Sequence, residues 1–219
     1  MSEKINRREL STRNTGPAQK IAAWISKGNI TPNQISIFSI FFGAAGAAVF
    51  ASIPFAHGNL TWVLPIIAAA CIQCRLLCNL FDGMVAVEGG KGTASGELFN
   101  DIPDRMADSL FLIGAGYSLI HLHAQAPILG WIAALLAVGT AYVRTLASSI
   151  GAPTDFCGPM AKQHRMFTLT LACLLTPLES ILNLPAGMII FTALLLIIIG
   201  SSLTIARRTK KAYRFIEGK

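Results

Sequence analysis

Charge is what this sequence has least of. Lys, Arg, Asp and Glu make up 13% of the 219 residues, and none of the four occurs between Gly28 and Cys74. So long an uncharged stretch excludes the solvated surface of a soluble domain. With 53% hydrophobic residues and a mean hydropathy of +0.57, the composition is that of an integral membrane protein. The first 27 residues lack the compact apolar core and small-residue cleavage site of a secretory leader, so no removable signal peptide is expected. Cysteine is also sparse. Cys71, Cys74 and Cys78 share one helical face and read as small packing groups, and with Cys157 and Cys173 they compel neither a zinc site nor a disulfide. Internal repeats and low-complexity tracts are missing too, which leaves a single domain over residues 1–219.

What is present is a set of apolar runs. About 20 such residues cross a bilayer, and six spans are expected: Gln34 to Ile53, Leu60 to Leu80, Arg105 to Leu122, Ile128 to Ser148, Met166 to Leu182 and Ala186 to Ala206. The fifth is the weakest, since its uncharged stretch between Arg165 and Glu179 is short and contains Pro177. Basic residues set the orientation. Lys4, Arg7, Arg8, Arg13, Lys20 and Lys27 precede the first span, and Arg207, Arg208, Lys210, Lys211, Arg214 and Lys219 follow the sixth. Arg75, Lys91, Arg105, Arg144, Lys162 and Arg165 fall at the second-to-third and fourth-to-fifth connections, whereas PFAHGN, HLHAQAP and LESILNLP contain no Lys or Arg. The positive-inside rule then puts both termini in the cytoplasm and predicts an all-α bundle of six transmembrane helices.

The excess of 18 Lys and Arg over 11 Asp and Glu reads as topology and attraction to membrane lipid headgroups, not as nucleic-acid binding. In the basic lead-in, residues 1–30, GPAQKIAAWISKG is either an amphipathic helix lying on the interface or a plain helical approach to the first span. Residues 207–219 form a basic tail. His121 and His123 sit in a connection on the other side, at the interface. Gly43 and Ala47 make a small-xxx-small pair suited to helix packing, inside the bundle or across a homodimer.

Against this scarcity of acids, NLFDGMVAVEGGKGTASGELFNDIPDRMAD, beginning at residue 79, collects Asp82, Glu88, Glu97, Asp101, Asp104 and Asp108. Its glycine-rich middle is short, which predicts that the second and third spans are antiparallel neighbours with their polar ends side by side. Asn79 and Asp82 share one helix face, as do Asn100, Asp104 and Asp108 on the next helix. Carboxylates at headgroup depth repel one another and resist desolvation unless cations or donors compensate them, and a divalent metal on oxygen ligands would do so. Gly83 and Ala86 let a neighbouring helix or a ligand approach the backbone beside Asp82.

This spacing resembles the signature of the CDP-alcohol phosphotransferase family, DxxDGxxARx8GxxxDxxxD. Five of the eight specified positions match without insertion: Asp82, Gly83, Ala86, Gly96 and Asp104. TPNQISI before the first span is similar to the family's usual start of that helix, and six spans with cytoplasmic termini is its architecture. The resemblance implies transfer of a phosphatidyl group from a CDP-linked lipid donor, usually CDP-diacylglycerol, to an alcohol acceptor with release of CMP. It places the active site at the cytoplasmic face of a bacterial inner membrane. It also implies Asn79, Asp82, Asn100 and Asp104 as ligand positions for Mg2+ or Mn2+, as one or two ions. Asp104 is further implied as the base for the acceptor's proton, and Gly83, Ala86 and Gly96 as the approach of the cytidine nucleotide.

Three positions depart from the pattern. Asn79 and Asn100 stand at aspartate positions and Val87 at the arginine position, removing two negative charges and one positive charge. A neutral amide holds a hard cation less strongly, so Asp101 becomes a candidate replacement ligand, and Lys91 or Arg105 a candidate partner for the diphosphate. Arg144 in YVRT, with Lys162 and Arg165 in PMAKQHRM, emerges on the side of the acids. These three are candidate acceptor-binding residues for a phosphorylated or lipid-bound alcohol, set against plain snorkelling to headgroups. Asp155 is placed to pair with them. The alternatives are a non-catalytic lipid- or nucleotide-binding relative and a cation-coupled transporter. Acids at one membrane edge without internal repeats speak against the transporter.

Overall fold

A computed structural model describes residues 15–87 and 89–218. Lys4, Arg7, Arg8 and Arg13 of the lead-in, Glu88 and Lys219 lie outside the described residues. Among the described residues the regular structure is helical throughout: α1 (Gly16–Lys27), α2 (Pro32–Ser52), α3 (Leu60–Val87), α4 (Gly96–Tyr117), α5 (Ala126–Ser149), α6 (Lys162–Leu175), α7 (Leu178–Ile181) and α8 (Met188–Ile216), with a 3-10 turn at Ile53–Phe55. The start of α2 follows directly from TPNQ. Thr31 Oγ1 accepts from the Gln34 amide at 3.2 Å, Gln34 Oε1 accepts from the Thr31 amide at 3.0 Å, and Pro32 fills the first turn, where no amide donor is needed.

Among the described residues four stretches are long and apolar enough to cross a membrane: Pro32–Phe55, Leu60–Val87, Ala126–Ser149 and Met188–Ile216. Their exposed faces carry Phe41, Leu135 and Ile199, surfaces that suit lipid rather than water. The chain is an integral membrane protein. The other two expected spans look different. α4 starts at Gly96 instead of Arg105, so its first turns hold the acids of the motif. The fifth is interrupted. α6 ends at Leu175, and Pro177, with no amide to continue the ladder, opens the separate turn α7. The 14 residues of α6 reach ~21 Å, short of a hydrocarbon core of ~30 Å. α8 instead runs on through the expected tail to Ile216, carrying Arg207, Arg208, Lys210, Lys211 and Arg214 as helix.

α2 packs on both α3 and α4, α4 packs on α5, α5 on α8, and α6 touches α3 and α8. α3 and α4 meet each other only lightly, so the short join does not make them the close pair that the sequence suggested. Small residues explain why α2 displaces α3 from α4. A Cβ on Gly43 would stand 2.8 Å from Ala107 Cα, and one on Gly114 would stand 2.7 Å from Ala47 Cα. The Gly43 and Ala47 pair therefore serves contact within the bundle. Phe50, Ile72, Phe111, Leu112, Met166 and Leu194 fill the core. α1 lies on α3 through Ala18 and Ala22 against Met84, leaving Ile21 and Trp24 exposed. At the end remote from the motif, Glu179 accepts from the amides of Gly187 at 2.8 Å and Ile189 at 2.7 Å and so caps α8.

Candidate functional site

α3 carries Arg75, Asn79 and Asp82 on one face. Asp82 is buried. Its Oδ2 accepts from Ser36 Oγ of α2 at 2.5 Å, and its Oδ1 has no hydrogen-bond partner. α4 supplies Asp104 and Asp108, buried one turn apart. Arg75 is wholly buried between them, 3.1 Å from Asp104 Oδ1 and 2.5 Å from Asp108 Oδ1, and it donates to the Asp104 carbonyl at 3.1 Å. Lys162, at the start of α6, pairs with Asp104 Oδ2. Each oxygen of the Asp104 carboxylate thus has its own cation. Asn79 lies within hydrogen-bonding reach of Asp104, and Asp82 is near enough to feel the charges of Asp104 and Lys162.

A second group continues from the first. Asp101 Oδ1 takes Arg105 at 2.5 Å and Arg144 at 3.0 Å. The Arg144 guanidinium also sits 5.4 Å over the Phe156 ring, which holds it against an apolar wall. Buried Arg165 donates to Thr140 Oγ1 at 3.1 Å and to the Met160 carbonyl at 2.9 Å, and lies 3.7 Å from Asp108. Arg208 of α8 donates to the carbonyls of Thr140 at 2.7 Å and Cys157 at 2.9 Å. Together they wall a cavity of about 190 Å³, into which Arg105, Arg144, Lys162, Arg165 and Arg208 bring positive charge against Asp101 and Asp104. Such a concavity favours an anion, and guanidinium forks favour phosphate or carboxylate.

Of the residues expected from sequence, Asn79, Asp82, Asp104 and Lys162 come together, and Asn100, Asp101, Arg105, Arg144 and Arg165 line the adjoining cavity. Lys91 does not join them. Its Nζ donates to the Gly28 carbonyl at 2.6 Å, because the carbonyls left unpaired at the end of α1 attract a cation. Gly83 and Ala86 are half-buried. Gly96 is open, since a Cβ there would meet nothing nearer than Thr93 Oγ1 at 3.7 Å. Asp155 pairs with Lys211 of α8 at 3.2 Å, and among the described residues no ion pair joins it to Arg144, Lys162 or Arg165. Burial pushes its carboxyl up, but the Cys157 amide and the Lys211 ammonium outweigh that and hold it below the usual carboxylate range. Sequence reasoning missed Arg75 and Arg208 as site residues. A lone ionisable side chain inside an apolar span was the available signal for Arg75. Arg208, one of several basic residues in an apparent tail, gave none.

No family model and no curated protein sequence matches the chain. Solved structures do match, and they give the fold: it is that of the CDP-alcohol phosphotransferases. The phosphatidylinositol phosphate synthase of Mycobacterium tuberculosis with CDP-DAG bound aligns with a TM-score of 0.73 at 19% identity, over 90% of this chain and 93% of that one. The same enzyme in complex with manganese and citrate gives 0.73 at 19%, over 90% and 88%. Its apo form gives 0.70 at 18%, over 89% and 95%. At this identity the likeness is one of fold, and the chemistry has to be argued from the side chains.

Since one of these neighbours holds manganese, the donor set here can be tested against a divalent ion, and it does not fit. Among the described residues no three His, Cys, Asp or Glu side chains gather where they could hold a metal. Asn79 and Asn100 are uncharged, Asp101 is turned to Arg105 and Arg144, and both oxygens of Asp104 are paired with cations. Asp82 retains one buried oxygen without a partner. A magnesium ion asks for near-octahedral oxygen coordination, about six ligands.

Proposed function

We propose that the chain transfers a phosphatidyl group from a CDP-linked lipid donor, CDP-diacylglycerol in the first instance, to the hydroxyl of an alcohol, with release of CMP. The observation that carries this reading is the nearness of Asp82 to Asp104, two motif positions, with Asp104 lining a cavity rich in cations. The cytidine end of the donor approaches along Gly83, Ala86 and Gly96, where small residues leave the helix backbones accessible. The acceptor occupies the cavity against Arg144 and Arg165, so an alcohol that itself bears a phosphate is the favoured substrate class.

In the reaction the acceptor oxygen attacks the phosphorus that carries the diacylglycerol. A new P–O bond forms there, the P–O bond to CMP breaks, and CMP leaves with the electron pair. The hydroxyl proton goes to a carboxylate. Asp104 takes that role once the phosphate offers Lys162 a second anion, because moving the ammonium from Oδ2 to the phosphate frees the oxygen that accepts the proton. Fixed cations along the cavity stabilise the charge that builds on the phosphoryl oxygens.

The same reading has α4 and the α6–α7 pair complete six crossings, with both termini and the site on the cytoplasmic face of a bacterial inner membrane, in keeping with the distribution of Lys and Arg. A second reading draws on the pairing of Asp104 with Arg75 and Lys162, which suits a relative that binds nucleotide or lipid without turnover. The experiment is incubation of the purified protein with labelled CDP-diacylglycerol and a pool of free and phosphorylated alcohols. CMP release together with a new phospholipid supports transfer. CDP-lipid binding without CMP release from any acceptor would refute transfer and support the second reading.

A further inference from the structure

We propose that this site works without a divalent metal: Lys162 and Arg75 occupy the carboxylate oxygens a metal ion would need, and the chain's own fixed cations bind the phosphates directly. The proposal rests on the reading that the ligand is CDP-linked, and it concerns how that ligand is held. Asp104 is the decisive residue. To coordinate an ion it would have to give up Arg75 at Oδ1, or Lys162 at Oδ2, an oxygen that Lys162 leaves only for a phosphate and that then takes the acceptor's proton. Arg75 has nowhere else to go, because it is fully buried and, among the described residues, its charge is matched only by Asp104 and Asp108. Losing one of those partners would leave a guanidinium short of compensation in a dry interior.

Charge balance points the same way. The carboxylates Asp82, Asp101, Asp104 and Asp108 are already outnumbered by the cations around them, Arg75 and Lys162 at the centre and four arginines along the cavity. A further double positive charge placed among them would be repelled over a few ångströms in a medium that screens poorly. The excess of positive charge in this cluster calls for an anion. Arg75 Nε and Nη1, Arg105 Nε and Arg165 Nε are buried donors with no hydrogen-bond partner. Asp101, the carboxylate best placed to replace Asn100, is engaged by two guanidinium groups. The exchanges of aspartate for Asn79 and Asn100 then make sense together with Arg75 and Lys162: as negative charge leaves the motif, internal cations take the place of external ones.

Two measurements on the full-length protein in lipid nanodiscs test this. Manganese binding is titrated by electron paramagnetic resonance against empty nanodiscs, and CDP binding is titrated calorimetrically in chelator and in excess Mg2+. We expect no manganese above the empty-disc level and CDP affinities that agree within about twofold. Lys162→Gln should weaken CDP binding about tenfold, the loss of one charge-assisted contact, while Lys162→Arg keeps most of it. Combining Lys162→Gln with Asn79→Asp and Asn100→Asp should create a manganese site that the wild type lacks. One manganese bound per wild-type chain, or CDP affinity that falls tenfold or more in chelator, would overturn the proposal. The manganese titration does not depend on nucleotide. Failure of CDP to bind in both buffers would therefore count against the proposed donor, leaving the metal question to be decided by that titration alone.

Discussion

Replacing Arg75 with methionine should strike stability harder than any other single change in the helix bundle's polar cluster. Methionine fills most of the same volume but leaves Asp104 and Asp108 buried, with Lys162 on one and only the more distant Arg165, at 3.7 Å, on the other. Unit charges 3 Å apart interact by ~5 kcal/mol at an effective dielectric of ~20, and Arg75 makes two such contacts, at 3.1 and 2.5 Å. Desolvation of the buried ions cancels much of that sum, so breaking the arrangement from one side should cost about 3–5 kcal/mol. The measurement is a double-mutant cycle in reversible SDS-induced unfolding, using Arg75→Met, Asp108→Asn and the pair. Asp108→Asn removes one of the stranded charges, so the double variant should recover about 2 kcal/mol relative to the sum of the singles. Additivity to within about 0.5 kcal/mol would show that Arg75 and Asp108 do not act on each other, and the account of the site's charge balance would fail with it.

Four further outcomes are expected. Asp104→Asn should lower CMP release at least about a hundredfold, by removal of the proton acceptor, while CDP affinity measured calorimetrically stays within about threefold. Arg144→Ala should raise the KM for a phosphorylated acceptor about tenfold and leave the KM for the CDP donor nearly unchanged, whereas equal rises would indicate general loss of structure. Gly114→Val should lower the melting temperature, because its side chain would collide with the α2 backbone at Ala47. Gly96→Leu, at an open position, should leave melting unchanged and weaken CDP binding by occupying the space where the nucleotide approaches.

Local signals in the sequence were read well wherever a residue's role depends on its near neighbours. TPNQ announces the start of α2, and the Gly43 and Ala47 pair marks a place of close approach, whereas Gly114 on the facing helix gave no such signal. Pro177 makes the fifth span suspect, and the chain does break there. The pairing of helices was less legible, because a short join between α3 and α4 limits their distance without deciding which surface each prefers, and α2 offers both a better one. In the site, the spacing of Asp82 and Asp104 put both on facing surfaces. Their counter-charges came from farther away. Lys162 and Arg208 reach the cluster from helices much later in the chain, and hydropathy gives no measure of such a distance. Arg75 was hidden by its position, since a basic residue toward the end of a span reads first as an orientation signal.

Thr140 shows what this arrangement means for recognition. Its carbonyl accepts from Arg208 and its hydroxyl from Arg165, so one residue of α5 fixes the separation of two guanidinium groups borne by α8 and α6. Long side chains usually surrender rotational freedom when a ligand arrives, of the order of 1 kcal/mol for each one immobilised. Here that ordering is completed when the helices assemble, before any ligand is present. On the proposed reading the two charges would act as a gauge of fixed width, and an anion would be selected by whether its oxygens span that width, not by how far the protein can bend to meet it.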